Sequence, residues 1–295
     1  MRKTVSAFLI IALILTLVVL LAYTLLCTGY AVHRDAVYGT DTCEVMDIYI
    51  PKKAYTRKEN GCVLFIHGGS WSGGDKSEED LRCRNVAKHG YIAATMNYTL
   101  HTEENTYTYT VDKVLDEIDM ALEFIKNFCA DMGVCVNKAA TSGYSAGAHL
   151  SMLYSYSRGT SAPVDIKFTA NMAGPADISP DIWGDELAMV IGERLSNQSI
   201  TEEALRSGEA DKILAYISPV SYINSDTPPS IFVYGGCDTT VSYKNGESLK
   251  RKFDAAGVEY EYIFLPDANH ALMHNPIKRL SYPKYLIDYC DKYFK

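Results

Sequence analysis

The chain has 295 residues, 47% of them hydrophobic and 22% charged, a balance that excludes wholesale disorder and indicates a globular domain with a sizeable core. The net charge is −8, and no basic run occurs beyond Arg2-Lys3, which argues against a nucleic-acid-binding protein because such proteins need clustered Lys and Arg. No H-E-x-x-H run or paired ligand spacing is present, so we expect neither a metal site nor a cofactor.

Residues 7–26 form an apolar segment. Twenty helical residues at ~1.5 Å each span about 30 Å, the hydrocarbon thickness of a bilayer. We therefore predict that residues 1–35 are an uncleaved membrane anchor with its linker. A cleaved signal peptide of a secreted protein is the alternative, but its apolar region usually has about 7–15 residues and a small-residue site, which Leu25-Leu26-Cys27 lacks. Because Arg2-Lys3 precedes the segment, the positive-inside tendency places the following domain outside the cytoplasm.

Residues 36–295 are predicted to form one catalytic domain in which strands and helices alternate. The strand-like runs are 41–50, 63–66, 91–98, 139–142, 168–172, 230–234 and 260–265. The helical patterns are 78–89, 111–128, 146–156, 246–256 and 282–294. This order predicts βαβ units, and hence an α/β fold with a doubly wound, mostly parallel sheet and helices on both faces. Residues 177–226 break the alternation and are predicted to form a small helical cap.

The run GYSAG (143–147) matches the pattern G-x-S-x-G between a predicted strand and a predicted helix. In that context the pattern is typical of a nucleophile elbow, a sharp turn that presents the serine hydroxyl above the sheet. The strained turn requires small residues two positions before and two after the serine. Ser145 is therefore the predicted nucleophile.

The run HGGSW (67–71) directly follows another predicted strand. Acyl transfer builds negative charge on the former carbonyl oxygen, and each fixed N–H donor that stabilises it is worth on the order of 3 kcal/mol. The backbone N–H groups of Gly68, Gly69 and Ala146 are the predicted oxyanion hole. Trp71 and Tyr144 flank these donors and are predicted to contact the substrate. A plain strand-to-loop turn is the alternative.

Two further residues follow predicted strands in the order nucleophile, acid, base that is typical of such enzymes. Asp238 follows the strand at 230–234, and His270 follows the strand at 260–265. Because parallel strands present their carboxyl ends at one edge of a sheet, both are expected near Ser145. We predict that His270 is the general base and that Asp238 orients it.

Other candidates exist for these roles. His274 is a rival base and Asp267 a rival acid, although Asp267 lies very close to His270 in sequence. His67 and His149 are predicted to be structural. Asp75 is predicted to have a structural role in fixing the loop that begins with Gly68 and Gly69, which we call the glycine loop.

Apart from Cys27 at the end of the apolar segment, the chain has seven cysteines, an odd number that cannot all pair within one chain. Cys62 and Cys237 flank apolar strand-like runs and are predicted to be buried thiols. A short disulfide between Cys129 and Cys135 is the alternative for an exported domain.

Residues 40–295 resemble the α/β-hydrolase esterases and lipases, and above all the HGG-type carboxylesterases that include the bacterial feruloyl/acetyl-xylan-type group. The runs that carry the resemblance are HGGSWSGGDK (67–76), NYTL (97–100), GYSAGAHL (143–150), AGPADI (173–178), YGGCDTTV (234–241) and ANHAL (268–272). The resemblance implies the α/β-hydrolase fold and the triad and oxyanion residues named above. Ser70 stands where hormone-sensitive-lipase relatives carry a third glycine, which leaves the subfamily open.

The expected activity is hydrolysis of carboxylic esters through an acyl-enzyme. Small-molecule esters, short-chain or carbohydrate-linked, are the expected substrates by analogy with the family. A serine peptidase or amidase of the same fold is an alternative. A non-catalytic, membrane-held binding domain is another, although such domains usually lose a member of the triad.

Overall fold

The structure is a computed structural model that describes Thr16, residues 29–272 and residues 281–295. Within these residues no helix combines the length and the apolar character that crossing a bilayer requires. The predicted anchor at 7–26 lies outside the described residues apart from Thr16, so it stays a prediction.

Eight strands form a single sheet in the order β1-β2-β4-β3-β5-β6-β7-β8. They are β1 (Tyr30–Val37), β2 (Val45–Pro51), β3 (Asn60–Ile66), β4 (Ile92–Met96), β5 (Val136–Tyr144), β6 (Asp165–Met172), β7 (Ser230–Gly235) and β8 (Tyr260–Leu265). Strand β2 runs antiparallel to both of its neighbours, whereas each pair from β4 through β3 to β8 is parallel. The predicted mostly parallel sheet is confirmed.

Helices cover both faces of this sheet. They are α1 (Asp80–Lys88), α2 (Val111–Asp131), α3 (Ala146–Ser157), α4 (Pro180–Trp183), α5 (Asp185–Ser196), α6 (Glu202–Ser207), α7 (Asp211–Tyr216), α8 (Lys244–Ala256) and α9 (Ser281–Tyr293). Along β3, Leu64 packs in a cluster with α2 and α3, whereas Val63 and Phe65 pack in a second cluster with α1 and α9. Since side chains alternate along a strand, a β3 that is apolar throughout has to be buried on both faces.

Strand β1 lies in a segment that sequence reasoning assigned to the linker before residue 36. It pairs with β2 from Tyr30 to Val37, with an irregularity between His33 and Ala36. The prediction of a linker up to residue 35 is therefore wrong for residues 30–35. Strand β1 was hidden because it forms the edge of the sheet, where polar and exposed side chains interrupt the apolar alternation.

The region predicted as a helical cap, 177–226, contains α4, α5, α6 and α7 and no strand. It follows β6 and precedes β7, so it is inserted between two neighbouring strands in the middle of the parallel part of the sheet. This insertion places the cap beside the carboxyl ends of the strands, where α/β sheets bind their ligands.

Candidate active site

Ser145 occupies the single residue between the end of β5 and the start of α3. Its φ of 54° and ψ of −121° lie in a region that non-glycine residues enter only at a cost. The turn is compressed, because a Cβ added to Gly143 would lie 2.3 Å from the carbonyl carbon of Gly147, and one added to Gly147 would lie 2.0 Å from the oxygen of Ile66. The two glycines of the G-x-S-x-G pattern are thus required by contact with the neighbouring backbone.

The structure brings Ser145, His270 and Asp238 into one hydrogen-bonded row. His270 Nε2 lies 3.0 Å from Ser145 Oγ, and His270 Nδ1 lies 2.8 Å from Asp238 Oδ2. The other carboxylate oxygen of Asp238 accepts the backbone N–H groups of Thr240, at 2.8 Å, and Val241, at 2.9 Å. The Asp238 side chain is fully buried, and 23% of the His270 side chain is exposed. His270 can therefore accept a proton from Ser145 where the imidazole is partly exposed. The buried carboxylate of Asp238 can stabilise the imidazolium that results.

The structure describes one of the two rivals for these roles. Asp267 is exposed, and no hydrogen bond within the described residues joins it to His270. His274 lies outside the described residues. Both ring nitrogens of His270 are engaged by Asp238 and Ser145, which favours the predicted pairing.

His67 and His149 are both buried, as expected of structural histidines. His67 stacks on Tyr98, with 4.4 Å between ring centroids, and burial lowers its pKa. His149 Nε2 lies 2.8 Å from the carbonyl oxygen of Ile217, and its Nδ1 accepts the indole N–H of Trp71 at 3.2 Å. Burial lowers the pKa of His149 to about 4, so the ring is neutral at physiological pH and joins α3 to the cap.

The glycine loop lies against the elbow. A Cβ added to Gly68 would be 2.9 Å from the Tyr144 oxygen and 3.3 Å from Ser145 Cβ, so only glycine lets this backbone approach the serine. Within the described part of the chain, the backbone N–H groups of Gly68, Gly69 and Ala146 donate no hydrogen bond. An oxyanion hole requires such uncommitted donors beside the nucleophile, and the role of these three groups stays a prediction.

Asp75 terminates the glycine loop as predicted for a structural residue. Its carboxylate accepts the backbone N–H of Ser77 at 2.9 Å and the side-chain amide of Asn97 at 3.0 Å. The bonds from Ser77, together with that from Asn97, lower the pKa of Asp75 to about 2. The loop is therefore capped by a carboxylate that stays ionised through the physiological range.

The two predicted substrate contacts have different surroundings. Only 5% of Trp71 is exposed, and its indole is bonded to His149, so its burial argues against a substrate contact. The substrate role of Trp71 stays a prediction. Tyr144 is half-buried and lines a cavity of about 430 Å³ together with Arg82 and Leu272. The substrate role of Tyr144 stays a prediction.

Several contacts around the site have no signal in the sequence. The cap reaches the glycine loop through Arg194, whose guanidinium donates to the Ser70 carbonyl oxygen at 3.2 Å. It reaches α3 through the bond between Ile217 and His149. The hydroxyl of Tyr144 donates to the main-chain oxygen of His270 at 3.0 Å. Each contact joins residues at least 68 positions apart, so no local pattern predicts them.

The cysteines differ in part from expectation. Cys129 and Cys135 are both free, so the alternative disulfide is not formed. Cys62 is buried as predicted, whereas Cys237 is exposed, and that prediction was wrong. The reason is position: Cys62 lies inside β3, but Cys237 lies two residues beyond the end of β7, where the chain has left the core.

One group of acidic residues brings three carboxylate oxygens within 4.8 Å of one another, those of Asp41, Glu44 and Glu117. Glu117 accepts the backbone N–H of Thr99 at 2.8 Å, and Asp41 pairs with Lys113 at 3.0 Å. These protein partners account for the cluster, and we assign no metal to it.

The chain is similar to proteins that are named esterases. It is 23% identical over 250 residues to Esterase LipQ of Mycobacterium tuberculosis. This alignment covers 80% of this chain and 56% of that protein. It is 29% identical over 120 residues to a probable isoprenylcysteine alpha-carbonyl methylesterase, ICMEL2, of Arabidopsis thaliana, covering 41% and 27% of the two chains. The chain thus spans about half, or less, of the length of these curated relatives.

Solved structures share the fold. Esterase B from Lactobacillus rhamnosis, inhibited by a tributyrin phosphonate, superposes with a TM-score of 0.70 at 18% identity, covering 90% of this chain and 86% of that one. A truncated carbohydrate esterase from gut microbiota superposes with a TM-score of 0.69 at 16% identity, covering 90% and 98%. At these identities the superpositions show the α/β-hydrolase-like architecture.

The sequence profile of the BD-FAE family matches residues 46–253, a range that includes the glycine loop, the elbow, the cap and Asp238. The match covers well over half of the chain and confirms the resemblance to the α/β-hydrolase esterases. The chain therefore belongs to the BD-FAE family.

Proposed function

We propose that the protein is a serine hydrolase that cleaves carboxylic esters through an acyl-enzyme. The observation that carries the proposal is the hydrogen-bonded row from Ser145 through His270 to Asp238, with Ser145 on a strained turn that the backbone of Gly68 approaches closely. Such strain persists only where the surrounding structure maintains it, and it is concentrated at functional sites. The names of the relatives favour an ester as the substrate.

In the first half of the proposed reaction, Ser145 Oγ attacks the ester carbonyl carbon while His270 Nε2 takes the hydroxyl proton. The carbonyl π electrons move onto oxygen, and the N–H groups of Gly68, Gly69 and Ala146 stabilise that oxyanion. When the tetrahedral intermediate collapses, the bond to the alcohol oxygen breaks. His270 then returns its proton to the leaving alcohol, and the acyl group remains on Ser145.

In the second half, water replaces the alcohol and the same groups act again. His270 takes a proton from water, the hydroxide adds to the acyl carbon, and the bond to Ser145 Oγ breaks. The proton on His270 passes to that oxygen, which restores the serine and releases the carboxylic acid. Throughout, Asp238 holds Nδ1–H and stabilises the imidazolium, and it keeps its own charge.

Labelling with a fluorophosphonate probe tests this proposal directly. The full chain is expected to react with the probe and to hydrolyse p-nitrophenyl acetate. Ser145→Ala should abolish labelling and lower kcat by about 10⁴-fold or more, since the nucleophile is lost. The matched control Ser161→Ala changes an exposed serine and should leave both measurements unchanged. Labelling that persists in Ser145→Ala would remove this residue from its proposed role.

The alternatives are separated by substrate. A peptidase or amidase would turn over an aminoacyl anilide faster than p-nitrophenyl acetate at equal concentration, and an esterase would show the reverse. A non-catalytic binding domain would hydrolyse neither substrate and would not be labelled. The intact row of Ser145, His270 and Asp238 argues against that last function.

For the substrate, we propose a small ester with a short acyl group, including carbohydrate-linked esters. The name of one neighbour, a carbohydrate esterase, supports the second class. Comparing acetylated xylo-oligosaccharides with simple alkyl acetates tests it, because a carbohydrate esterase should show a higher kcat/KM on the sugar esters. Equal or lower values on the sugar esters would contradict that class.

For localisation, we propose that residues 7–26 anchor the protein in a membrane and that the catalytic domain lies outside the cytoplasm. The length and apolar character of the segment support the proposal. Carbonate extraction should leave the full chain in the membrane fraction, and protease added to intact cells should degrade the domain. Release of a shortened, soluble chain would instead support a cleaved signal peptide.

A further inference from the structure

The loop that bears the base is joined to the turn that bears the nucleophile by one side chain, which has no part in the reaction steps above. The Tyr144 hydroxyl donates its hydrogen bond of 3.0 Å to the main-chain oxygen of His270. The Tyr144 ring also lies against the imidazole, with 5.1 Å between ring centroids. Tyr144 immediately precedes Ser145. It therefore links Ser145 to His270 directly, whereas the connection through the sheet passes across β6 and β7.

The base needs such a connection because of where its loop lies. Strand β8 forms the edge of the sheet and is separated from β5 by β6 and β7, and its side chains are mostly only partly buried. Just after His270, Leu272 has a φ of 56°, a left-handed conformation that is costly for a leucine. A strained turn at a sheet edge keeps its shape only when further contacts hold it.

Tyr144 has a second neighbour besides His270. The Arg82 guanidinium lies 6.0 Å from the centroid of the Tyr144 ring, and Arg82 is paired with the buried carboxylate of Glu79. Burial, together with the nearby charge of Asp238, raises the pKa of Tyr144 to about 12. The hydroxyl therefore keeps its proton, and hence its role as a donor, across the pH range in which His270 has to act.

We propose that Tyr144 is a positioning residue for the base: its hydroxyl anchors the main chain of His270 and so keeps Nε2 within reach of Ser145 Oγ. This inference rests on the proposed esterase function and assigns Tyr144 a role other than a substrate contact. The two roles differ in what they change. A positioning residue alters the rate of the proton transfer and hence kcat, whereas a contact made equally in ground state and transition state alters KM.

Tyr144→Phe in the full chain removes the hydroxyl and keeps the ring. With p-nitrophenyl acetate we expect kcat to fall about tenfold and KM to stay within about twofold, since misplacement of a reacting group by 1 Å can cost about 100-fold. The rate of fluorophosphonate labelling should fall by a similar factor. The control Tyr38→Phe removes a hydroxyl that also donates to a main-chain oxygen, that of Asn97 at 2.6 Å, and should leave kcat unchanged. Melting temperatures of both variants show whether stability accounts for the result.

A double-mutant cycle with His270→Ala makes the test specific. If Tyr144 acts through His270, Tyr144→Phe should cause no further loss in the residual hydrolysis of His270→Ala. An equal further loss there, a kcat of Tyr144→Phe within twofold of the wild type, or a rise in KM with unchanged kcat would each overturn the inference. Failure of the wild type to be labelled would instead overturn the esterase proposal, so the two failures are distinguishable.

Discussion

The nucleophile and its base occupy different surroundings. Ser145 follows β5, which lies between two parallel strands near the middle of the sheet, whereas His270 follows β8 at the edge. The turn at Ser145 is held by backbone contacts that leave no room for a Cβ at Gly143 or Gly147. The loop at His270 is also held by backbone contacts, since a Cβ added to Gly235 would lie 2.3 Å from the Ala268 oxygen, and in addition by hydrogen bonds to Asp238 and from Tyr144. We infer that the nucleophile is positioned by close packing, whereas the base is positioned by close packing together with polar side-chain contacts.

The difference has consequences for mutation. On the nucleophile side, any added atom meets backbone that cannot move, so substitutions should first affect the free energy of unfolding. On the base side, the polar side chains can be replaced by others of the same size, so such substitutions should first affect the reaction. The predictions below test this division, beginning with the largest expected effect.

Asp238→Asn should lower kcat on p-nitrophenyl acetate by about 10³–10⁴-fold, because its NH₂ group would face Nδ1, donate to it and favour the wrong imidazole tautomer. The melting temperature should change little, since the amide oxygen can still accept the N–H groups of Thr240 and Val241. The control Asp267→Asn alters the exposed rival acid and should keep kcat within about twofold. A large loss in Asp267→Asn with little in Asp238→Asn would reverse the assignment.

Gly147→Ala should lower the free energy of unfolding by more than about 3 kcal/mol, because the new Cβ would lie 2.0 Å from the Ile66 oxygen and the backbone has to shift. The helical preference of alanine offsets only about 1 kcal/mol of this. Urea unfolding measures the change. In the control Gly159→Ala the nearest atom to the new Cβ is 3.8 Å away, and stability should be unchanged. A Gly147→Ala protein as stable as the wild type would show that the elbow is not held by packing.

His149 should make stability depend on pH. Its folded pKa of about 4 lies below its ordinary value of 6.5, so the unfolded chain takes up a proton first as the pH falls. The stabilisation is complete above pH 6.5, and up to about 3 kcal/mol of it is lost as the pH approaches 4. In His149→Gln the amide keeps the donor to Ile217, and the difference in unfolding free energy between pH 7 and pH 4.5 should shrink by a similar amount. An unchanged difference would contradict the burial of a neutral ring.

Cys237→Ser should have the smallest effect. The residue adjoins Asp238, but its thiol is exposed and its Sγ lies 3.5 Å from the Pro266 oxygen. Hydrolysis should stay within about twofold of the wild type. A thiol reagent should find one fewer fast-reacting group in the folded variant, whereas Cys62, whose pKa burial raises well above the ordinary value, should react only on unfolding. A tenfold loss of kcat would contradict this prediction and show that the loop bearing Asp238 does not tolerate even this small change of side chain.

The sequence by itself determined the parts whose physics is local. The alternation of apolar strands and amphipathic helices predicts the parallel sheet, because each period follows from backbone geometry. The spacing of glycines around Ser145 predicts the elbow, since the turn has to exclude side chains. The positions of Asp238 and His270 after strands predict their convergence, because parallel strands share one carboxyl edge.

Only the tertiary structure decided the rest. Strand β1 exists because an edge is available beside β2, which no pattern within residues 30–37 shows. The burial of Trp71, the exposure of Cys237 and the bond from Tyr144 to His270 depend on which distant segments cover or meet these residues. Such contacts join positions far apart in the chain, and their energies depend on the packing of the whole fold, so they leave no periodic trace in the sequence.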